Sequence, residues 1–272
     1  MKIILSRKGF DNQYGKQASP ILPDGTLLSL PIPLAEEAVQ LTDLIHKDQS
    51  YYNIIKSLKP NTHLKAESTC HLDPDLRKEA LPRKQSWQPT FGQADGALGH
   101  LINNDIRKDD LFLFFGTFRQ TAYINGKLSY VKDAPDQHLI YAYFQVSKLH
   151  TDNESLKKHF ADHPHAAPRY LAKNLNGIFE ANENLSFAPA FSGSSSFTFS
   201  KDLVLTKQGY SKSRWQLPDI FEDARITYHS KNSFKAHYFQ SAAKGQEFII
   251  SGSKVVENWA KNLIIKNVKR KN

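Results

Sequence analysis

A thiol, an imidazole and two carboxylates lie within six residues of the chain, as Cys70, His71, Asp73 and Asp75. Adjacent residues of an extended chain point to opposite faces, so Cys70 and His71 need not meet as a thiol–imidazole pair. The carboxylates are better candidates, because cleavage of an N-glycosidic bond passes through an oxocarbenium-like state that a nearby carboxylate stabilises. A turn in which Asp73 caps backbone groups accounts for the segment equally well.

A second candidate group follows the first predicted strand, at residues 6–11. Gly9 lets the backbone approach a ligand closely, and the two cations Arg7 and Lys8 can hold a phosphate. Asp11 could act as a base or stabilise a developing cation. An ordinary strand-to-loop turn is the alternative interpretation of these residues.

Aromatic side chains are frequent on the strands predicted in the middle of the chain. Their faces, together with an arginine, could stack a nucleobase that is splayed out of its helix. Packing in the core is the more common role of such residues. The residues concerned are Phe112, Phe114, Phe115, Phe118, Arg119, Tyr141 and Tyr143.

Two further groups carry weaker signals. His163 and His165 are two residues apart and could ligate a metal, but no third ligand is evident, so a turn is favoured and no metal is predicted. Gly245 precedes a predicted strand between Lys244 and Glu247, where backbone amides could face an anion.

Several standard catalytic motifs do not occur in the sequence. Neither G-x-x-x-x-G-K-[ST] nor G-x-G-x-x-G is present, so the usual nucleotide-phosphate loops are absent and no cofactor is predicted. H-E-x-x-H and G-x-S-x-G are also absent, and one cysteine cannot supply the pair that zinc deaminases use. No Asp-x-Lys or Glu-x-Lys occurs, which argues against the usual metal-dependent nucleases.

The chain carries a net charge of +9, and this charge is unevenly distributed. The net charge is zero over residues 1–110, +1 over 111–200 and +8 over 201–272. Such a basic region favours nucleic acid through phosphate contacts and counterion release, although a solvated basic tail is also possible. We therefore predict DNA, double-stranded and with modified bases, as the partner. The candidate backbone contacts are Lys261, Lys266, Lys269, Arg270 and Lys271.

The composition is that of a globular protein, with 40% hydrophobic and 11% aromatic residues in 272. No apolar run is long enough for a membrane helix, and the apolar stretch at the N-terminus is too short for a signal peptide. A single cysteine cannot form an internal disulfide, so we expect a reduced, cytoplasmic protein. We expect residues 1–272 to form one compact domain with a basic C-terminal helix and tail at about 253–272, and the oligomeric state stays open.

Strands outnumber helices in the pattern of apolar residues. Residues 111–118 and 138–146 read as buried strands, and Asn125-Gly126 between apolar runs predicts a hairpin. Helical spacing predicts helices over 34–47, over 153–161 and near the C-terminus. The expected fold is α+β, with a mixed, largely antiparallel curved sheet or a PUA-like barrel and peripheral helices.

A series of short motifs extends along nearly the whole chain. They are residues 2–11 (KIILSRKGFD), 19–25 (SPILPDG), 30–33 (LPIP), 70–76 (CHLDPDL), 110–116 (DLFLFFG) with 118–119 (FR), 163–165 (HPH), 215–218 (WQLP) and 244–248 (KGQEF). In this order they resemble the third family of nucleotide modification associated domains. The resemblance implies a link to DNA hypermodification and to conflict between bacteria and phages, without a mechanism. Thr117 departs from the tryptophan expected there, which weakens a stacking role at this position.

Residues 109–150 also resemble, more weakly, the strand–loop–strand core of PUA-like and EVE-like barrels, which bind modified bases. The resulting hypothesis is an enzyme acting on modified bases in DNA, most concretely a DNA glycosylase in antiphage defence. A non-catalytic reader of modified bases and an enzyme that installs a base modification are the alternatives. The candidate catalytic residues are Asp11, Asp73 and Asp75, and the candidate substrate-binding residues are Arg7, Lys8, His71, Phe115, Arg119, Tyr141, Tyr143, Gln246 and Glu247.

Overall fold

The computed structural model describes residues 1–11, 13–243 and 245–268. In chain order the strands are β1 (Ile3–Arg7), β2 (Ser19–Ile21), β3 (Ile32–Pro33), β4 (Ile45–His46), β5 (Gln49–Ser50), β6 (Cys70–His71), β7 (Thr90–Ala94), β8 (Leu111–Ile124), β9 (Lys127–Tyr130), β10 (Gln137–His150), β11 (Asn176–Ala181), β12 (Asn184–Leu185), β13 (Ala188–Ser192), β14 (Ser194–Ser196), β15 (Arg214–Trp215), β16 (Arg225–Ile226), β17 (Phe234–Lys235), β18 (Tyr238–Gln240) and β19 (Glu247–Ser251). The α-helices are α1 (Tyr51–Leu58), α2 (Asp95–Asn103), α3 (Asn153–His159), α4 (Pro168–Leu171) and α5 (Lys254–Asn267). Short 3₁₀ helices lie at Lys78–Ala80, Pro164–Ala166, Lys201–Leu203, Asp219–Phe221 and Lys231–Ser233.

One large sheet runs in the order β16-β19-β1-β8-β10-β11-β7, and β2, β9 and β14 attach to its central strands. The pairings of β8 with β1 and with β2 are parallel, and the other pairings in this sheet are antiparallel. The α+β prediction of a mixed, largely antiparallel sheet with peripheral helices is confirmed. Across the described residues, strand pairing leaves this sheet open, so it is a curved sheet and not a closed PUA-like barrel.

A side-chain hydrogen bond joins edge strand β7 to β19, with which it has no strand pairing. Gln93 on β7 donates from Nε2 to Oε1 of Glu247 on β19 at 2.5 Å. Lys8 Nζ and Ser6 Oγ lie 3.2 and 3.3 Å from the same oxygen, and all four side chains belong to buried residues. The sheet is therefore curled strongly enough for its edge strand β7 to contact a buried ion pair formed by Lys8 after β1 and Glu247 on β19.

Aromatic packing fills both faces of the curled sheet. Because alternate residues of a strand share a face, Phe112 and Phe114 of β8 point to the same side. There they pack edge-on against Phe91 of β7, each at 5.1 Å between ring centroids. Phe115 points to the other side and packs edge-on against Trp215 at 5.1 Å. A smaller apolar cluster forms around α1 and includes Cys70.

Several predicted elements are found and one is wrong. The Asn125-Gly126 hairpin is present between β8 and β9, with φ of 51° and 73° at these two residues, as a tight two-residue turn requires. The helix predicted over 34–47 is wrong, because this stretch forms turns and β4. Glu36 and Lys47 have φ of 64° and 54°, which no α-helix accommodates.

The C-terminal helix α5 begins where Ser253 accepts a hydrogen bond from the Val256 N–H. Its buried side is formed by Val256, Ala260, Leu263 and Ile264, in agreement with the spacing of apolar residues in the sequence. None of the helices in the described residues is long and apolar enough to cross a membrane. That residues 1–272 form a single domain stays a prediction.

The buried imidazole of His138 on β10 generates a prediction about stability. Its Nδ1 accepts the Trp215 Nε1–H at 3.1 Å. Burial lowers the pKa of His138 from 6.5 to about 3, and the charges of Lys212 and Arg7 act in the same direction. As the pH falls below 6.5, the unfolded chain binds this proton first. The free energy of unfolding should then decrease by up to about 1.4 kcal/mol per pH unit until the pH reaches about 3.

Denaturant unfolding of the natural protein and of His138→Phe, measured from pH 7 to pH 4, checks this expectation. The free energy of unfolding of the variant should fall less steeply as the pH decreases. Its unfolding takes up about one proton fewer, because the phenylalanine ring cannot be protonated in the unfolded chain. Other buried groups contribute equally to both proteins. Parallel curves for the two proteins would contradict the assignment.

Candidate active site

The Asp73 carboxylate is buried, with only 4% of its side chain exposed. Its Oδ1 accepts the Gly92 N–H of β7 at 2.6 Å. His163 Nε2 lies 3.6 Å from Oδ1, and His71 Nε2 lies 3.9 Å from Oδ2. The motifs at 70–76 and 163–165 and strand β7 therefore meet at one carboxylate.

Local structure explains how these side chains meet. His71 ends β6, which pairs with β3, and the Asp73 N–H then donates to the His71 carbonyl at 2.9 Å. This three-residue turn places the two side chains on the same side, 3.9 Å apart. The 3₁₀ helix Pro164–Ala166 presents His163 and His165, and the His165 N–H donates to His163 Nδ1 at 3.1 Å. Gly92 allows this turn to lie against β7, because a Cβ there would come within 2.4 Å of the His165 ring.

Further polar side chains fix the orientation of the histidines. His71 Nδ1 lies 2.7 Å from Glu37 Oε1, and Arg169 donates to the same oxygen. His165 Nδ1 lies 2.7 Å from Asn176 Oδ1, while the Asn176 amide donates to the His165 carbonyl at 2.8 Å. Tyr170 stacks on the His165 ring with 4.3 Å between centroids. The rings of His71 and His165 are thus each oriented by a hydrogen bond at Nδ1.

The electrostatics of the cluster keep Asp73 charged and His165 neutral near pH 7. Burial raises the pKa of Asp73, but the interaction with His163 and the nearby imidazoles of His165 and His71 outweigh it and hold the pKa well below its usual range. Burial lowers the pKa of His165 to about 3. A buried negative charge thus lies beside the neutral ring of His165.

The cluster lies between two cavities. A groove of about 1010 Å³ is lined by Glu37, Asp75 and His163 together with Trp87 and Phe160. A smaller cavity is lined by side chains and backbone from β10 and the loops around it. Its lining includes Gly9, Ser29, Asp73, Asp75, Tyr141 and Ser196. His163 thus lies at the wall of the groove, whereas Asp73 lies at the wall of the smaller cavity, whose volume of about 40 Å³ suits a water molecule.

Asp75 lies close to the cluster in sequence but is already paired. Arg83 Nη2 donates to its Oδ1 at 2.6 Å, and Trp87 Nε1 lies 3.3 Å from its Oδ2. Burial raises the pKa of Asp75, although Arg83 opposes this shift. Both carboxylate oxygens therefore have a protein donor.

Asp11 closes a local turn. Its Oδ1 accepts the N–H groups of Gln13 and Tyr14, both at 2.8 Å. Arg7 binds backbone carbonyls, the shortest contact being 2.8 Å to Gly245. Gln246 is exposed, and its carbonyl accepts the Arg7 N–H. These residues hold together the loops at the ends of β1 and β19.

The remaining predicted substrate-binding residues lie in different environments. Lys8 and Glu247 form a buried ion pair. Gln93, which follows Gly92 on β7, donates a hydrogen bond to Glu247. Arg119 pairs with Asp136 at 2.8 Å. Phe115 is in the core, Tyr143 donates to the Ser192 carbonyl at 2.8 Å, and Tyr141 is buried at the smaller cavity.

Of the basic residues predicted to contact the DNA backbone, Lys261 and Lys266 lie on α5. Lys261 Nζ is 5.3 Å from the centre of the Phe187 ring, and Lys266 pairs with Asp202 at 2.5 Å. Lys269, Arg270 and Lys271 lie outside the described residues. The backbone contacts therefore stay predictions.

Glu37, Asn176, Arg169 and Tyr170 are members of the site that the sequence did not predict. None belongs to a motif of reactive residues, and Glu37 lies 34 residues from His71, which it contacts. Asn176 and Tyr170 lie close in sequence to His165, but an amide and a phenol there have many other uses. The spacing of His71 and Asp73, two residues apart in one motif, was the available signal. His163 and His165 are also two residues apart, but the sequence alone showed no third metal ligand near them.

A comparison with known protein families finds one match. The family model described as "Nucleotide modification associated domain 3" matches residues 2–251. Neither the curated proteins nor the solved structures contain a match to the chain.

Replacing Gly92 by alanine should destabilise the protein by about 1–3 kcal/mol, because the new methyl group would collide with the rings of His165 and His163. Gly96 is the matched control, since its Cβ would meet nothing within 4 Å and it lies in α2. Gly96→Ala should stabilise the protein by about 0.5–1 kcal/mol. Thermal unfolding measures both, and equal stability of Gly92→Ala and the natural protein would contradict the packing described.

Proposed function

The chain belongs to the nucleotide modification associated domain 3 family, and from this premise we propose that it is an enzyme that acts on modified nucleobases in DNA. We propose further that it is a DNA glycosylase that hydrolyses the N-glycosidic bond of such a base in defence against phage. The observation that carries the proposal is the buried, charged Asp73 among the imidazoles of His71, His163 and His165, between a groove and a second cavity.

The groove has the size and lining that an extruded nucleotide needs. Its volume of about 1010 Å³ is at the upper end of the range for small-molecule sites. Trp87 and Phe160 provide ring faces or edges for a base. Lys148 and Lys158 are exposed at the same groove, and in the described residues neither has an ion-pair partner within 4 Å, so both are available to a phosphate.

In the proposed reaction, the bond between C1′ and the base nitrogen breaks and its electron pair stays on the base. Positive charge develops on the sugar, and Asp73 stabilises it. A water oxygen bonds to C1′ as His71 takes its proton, with Glu37 stabilising the imidazolium. The base nitrogen takes a proton from solvent, and His71 returns its proton to solvent. The products are a free base and an abasic sugar.

Asp73 is the preferred catalytic carboxylate because of its contacts. Both oxygens of Asp75 are occupied by Arg83 and Trp87, and Asp11 caps a turn. Among the three candidate aspartates, Asp73 alone combines burial and charge with imidazoles within about 4 Å.

An enzyme is favoured over a non-catalytic reader by the kind of groups buried here. A base reader needs ring faces and neutral hydrogen-bonding groups. A carboxylate, three imidazoles and a Glu–Arg pair together are expensive to remove from water. Such a cost is typical of sites where protons move.

DNA docking is proposed for the basic last quarter of the chain. Residues 201–272 carry a net +8, and Lys261 and Lys266 lie on α5. Phosphate contacts of this kind position a duplex without choosing the base. The base would then be selected at the groove.

Incubation with unmodified DNA and with phage DNA carrying modified bases tests the proposed activity. The natural protein should release free modified base, detected by mass spectrometry, and leave abasic sites. Asp73→Asn should lower the rate of release by at least about 100-fold while DNA binding is retained, because the amide removes the charge that stabilises the sugar cation.

Asp11→Asn is the matched control and should keep the rate within about threefold, because an asparagine oxygen can cap the same turn. Release by Asp73→Asn at the natural rate would refute the assignment of Asp73. Selective binding of modified DNA with no released base and no abasic site would refute the glycosylase and favour the reader.

A further inference from the structure

Three acceptor groups from distant parts of the chain point at one another. One ligand atom each of His71, Asp73 and His165 lies within 4.8 Å of the other two. Two of these residues share a segment next to β6, and the third follows α3. Such a grouping of two imidazoles and one carboxylate is the donor set of many mononuclear metal sites.

Hydrogen-bond partners determine which imidazole nitrogens face the centre. His71 Nδ1 is bound to the Glu37 carboxylate, which accepts only, so this nitrogen carries a proton, and in the neutral ring Nε2 carries the lone pair. His165 Nδ1 is bound to Asn176 Oδ1, which also only accepts. Two ring lone pairs and a carboxylate oxygen therefore converge, which is the arrangement of donor atoms that a metal cation binds.

His163 provides a second, independent observation. Its Nδ1 accepts the His165 N–H, so its Nε2 carries the proton. This Nε2 is buried and has no hydrogen-bond partner among the described residues. It points toward Asp73, whose Oδ1 lies 3.6 Å away, just beyond hydrogen-bond reach. A buried donor directed into the same space indicates that an oxygen-bearing ligand belongs there.

We propose that His71 Nε2, one Asp73 oxygen and His165 Nε2 bind a divalent first-row transition metal ion. Two imidazole ligands favour ions such as Zn²⁺, Fe²⁺ or Co²⁺ over Mg²⁺ and Ca²⁺, which prefer oxygen. Three protein ligands leave coordination positions for water or substrate, and the His163 N–H can donate to an oxygen bound there.

The residues behind the ligands match this assignment. Histidines that ligate a metal usually donate their other ring N–H to a carboxylate or carbonyl group, as His71 does to Glu37 and His165 to Asn176. Ligand distances of about 2.1 Å would bring the three atoms to about 3–3.5 Å from one another. Small side-chain rotations suffice, since His71 Nε2 and Asp73 Oδ2 are already 3.9 Å apart.

This proposal goes beyond the proposed glycosylase and replaces the expectation from sequence that no metal is bound. With a metal bound, His71 Nε2 and an Asp73 oxygen would be ligands, so the roles given to them in the proposed reaction apply to the metal-free protein. A bound metal would supply Lewis acidity and a water that loses its proton near neutral pH. The site can exist without glycosylase activity, because ligation needs no DNA.

The test uses the full chain, freed of metal with a chelator, and titrates Zn²⁺ by calorimetry and Co²⁺ by visible absorption without DNA. One ion should bind per chain and raise the melting temperature. Asp73→Asn and His165→Gln should each weaken Zn²⁺ binding by at least about 100-fold. The matched controls Asp133→Asn and His63→Gln change exposed residues and should bind as the natural protein does.

A measurement on the natural protein covers the case in which a variant fails to fold. The Co²⁺-loaded protein should give two strongly shifted exchangeable proton signals in its NMR spectrum, from the Nδ1–H groups of His71 and His165. No stoichiometric ion, unchanged affinity in folded Asp73→Asn or His165→Gln, or no shifted imidazole N–H signals would overturn the site. Metal binding without release of a base would support the metal site and refute only the glycosylase activity.

Discussion

The Asp73 carboxylate is charged and almost fully buried, and the surrounding structure must compensate for the loss of water around it. A buried charge without partners is among the most unfavourable features a fold can contain. Its compensation comes from the Gly92 N–H on the last strand of the sheet and from imidazoles on two loops. Strand β7, the β6 segment and the turn at Pro164–Ala166 must therefore come together in one arrangement.

The curl of the sheet makes that arrangement possible. Gln93 follows Gly92, and its hydrogen bond to Glu247 links β7 to β19. Glu247 also forms a buried ion pair with Lys8. Strand β7 thus binds Asp73 through the Gly92 N–H and binds Glu247 of β19 through the Gln93 side chain. The family motifs at 70–76, 163–165 and 244–248, which are far apart in sequence, contribute to one continuous polar network through this strand.

Features encoded locally could be predicted from the sequence. The long apolar strands, the Asn125-Gly126 hairpin and the C-terminal helix follow from alternation, turn chemistry and helical spacing. The helix over 34–47 fails because Glu36 and Lys47 adopt positive φ and because Glu37 is held by His71 and Arg169. Tertiary contacts outweigh a helical pattern there.

The site was only partly accessible to the same reasoning. Asp73 and His71 could be singled out because they share a dense motif. His163 and His165 could not be connected to them, because about 90 residues separate the two segments and only the folded sheet brings them together. The orienting residues Glu37 and Asn176 carry no sequence signal, since a lone carboxylate or amide on a loop has many other uses.

The convergence of lone pairs at Asp73 is the central claim, and imidazole ¹⁵N NMR of the metal-free protein near pH 7 tests it most directly. Long-range ¹H–¹⁵N correlations distinguish protonated from unprotonated ring nitrogens. His71 and His165 should each carry a proton on Nδ1 and a lone pair on Nε2, and His163 should carry its proton on Nε2. A doubly protonated His71 paired with Asp73, or a His165 with its proton on Nε2, would contradict the account.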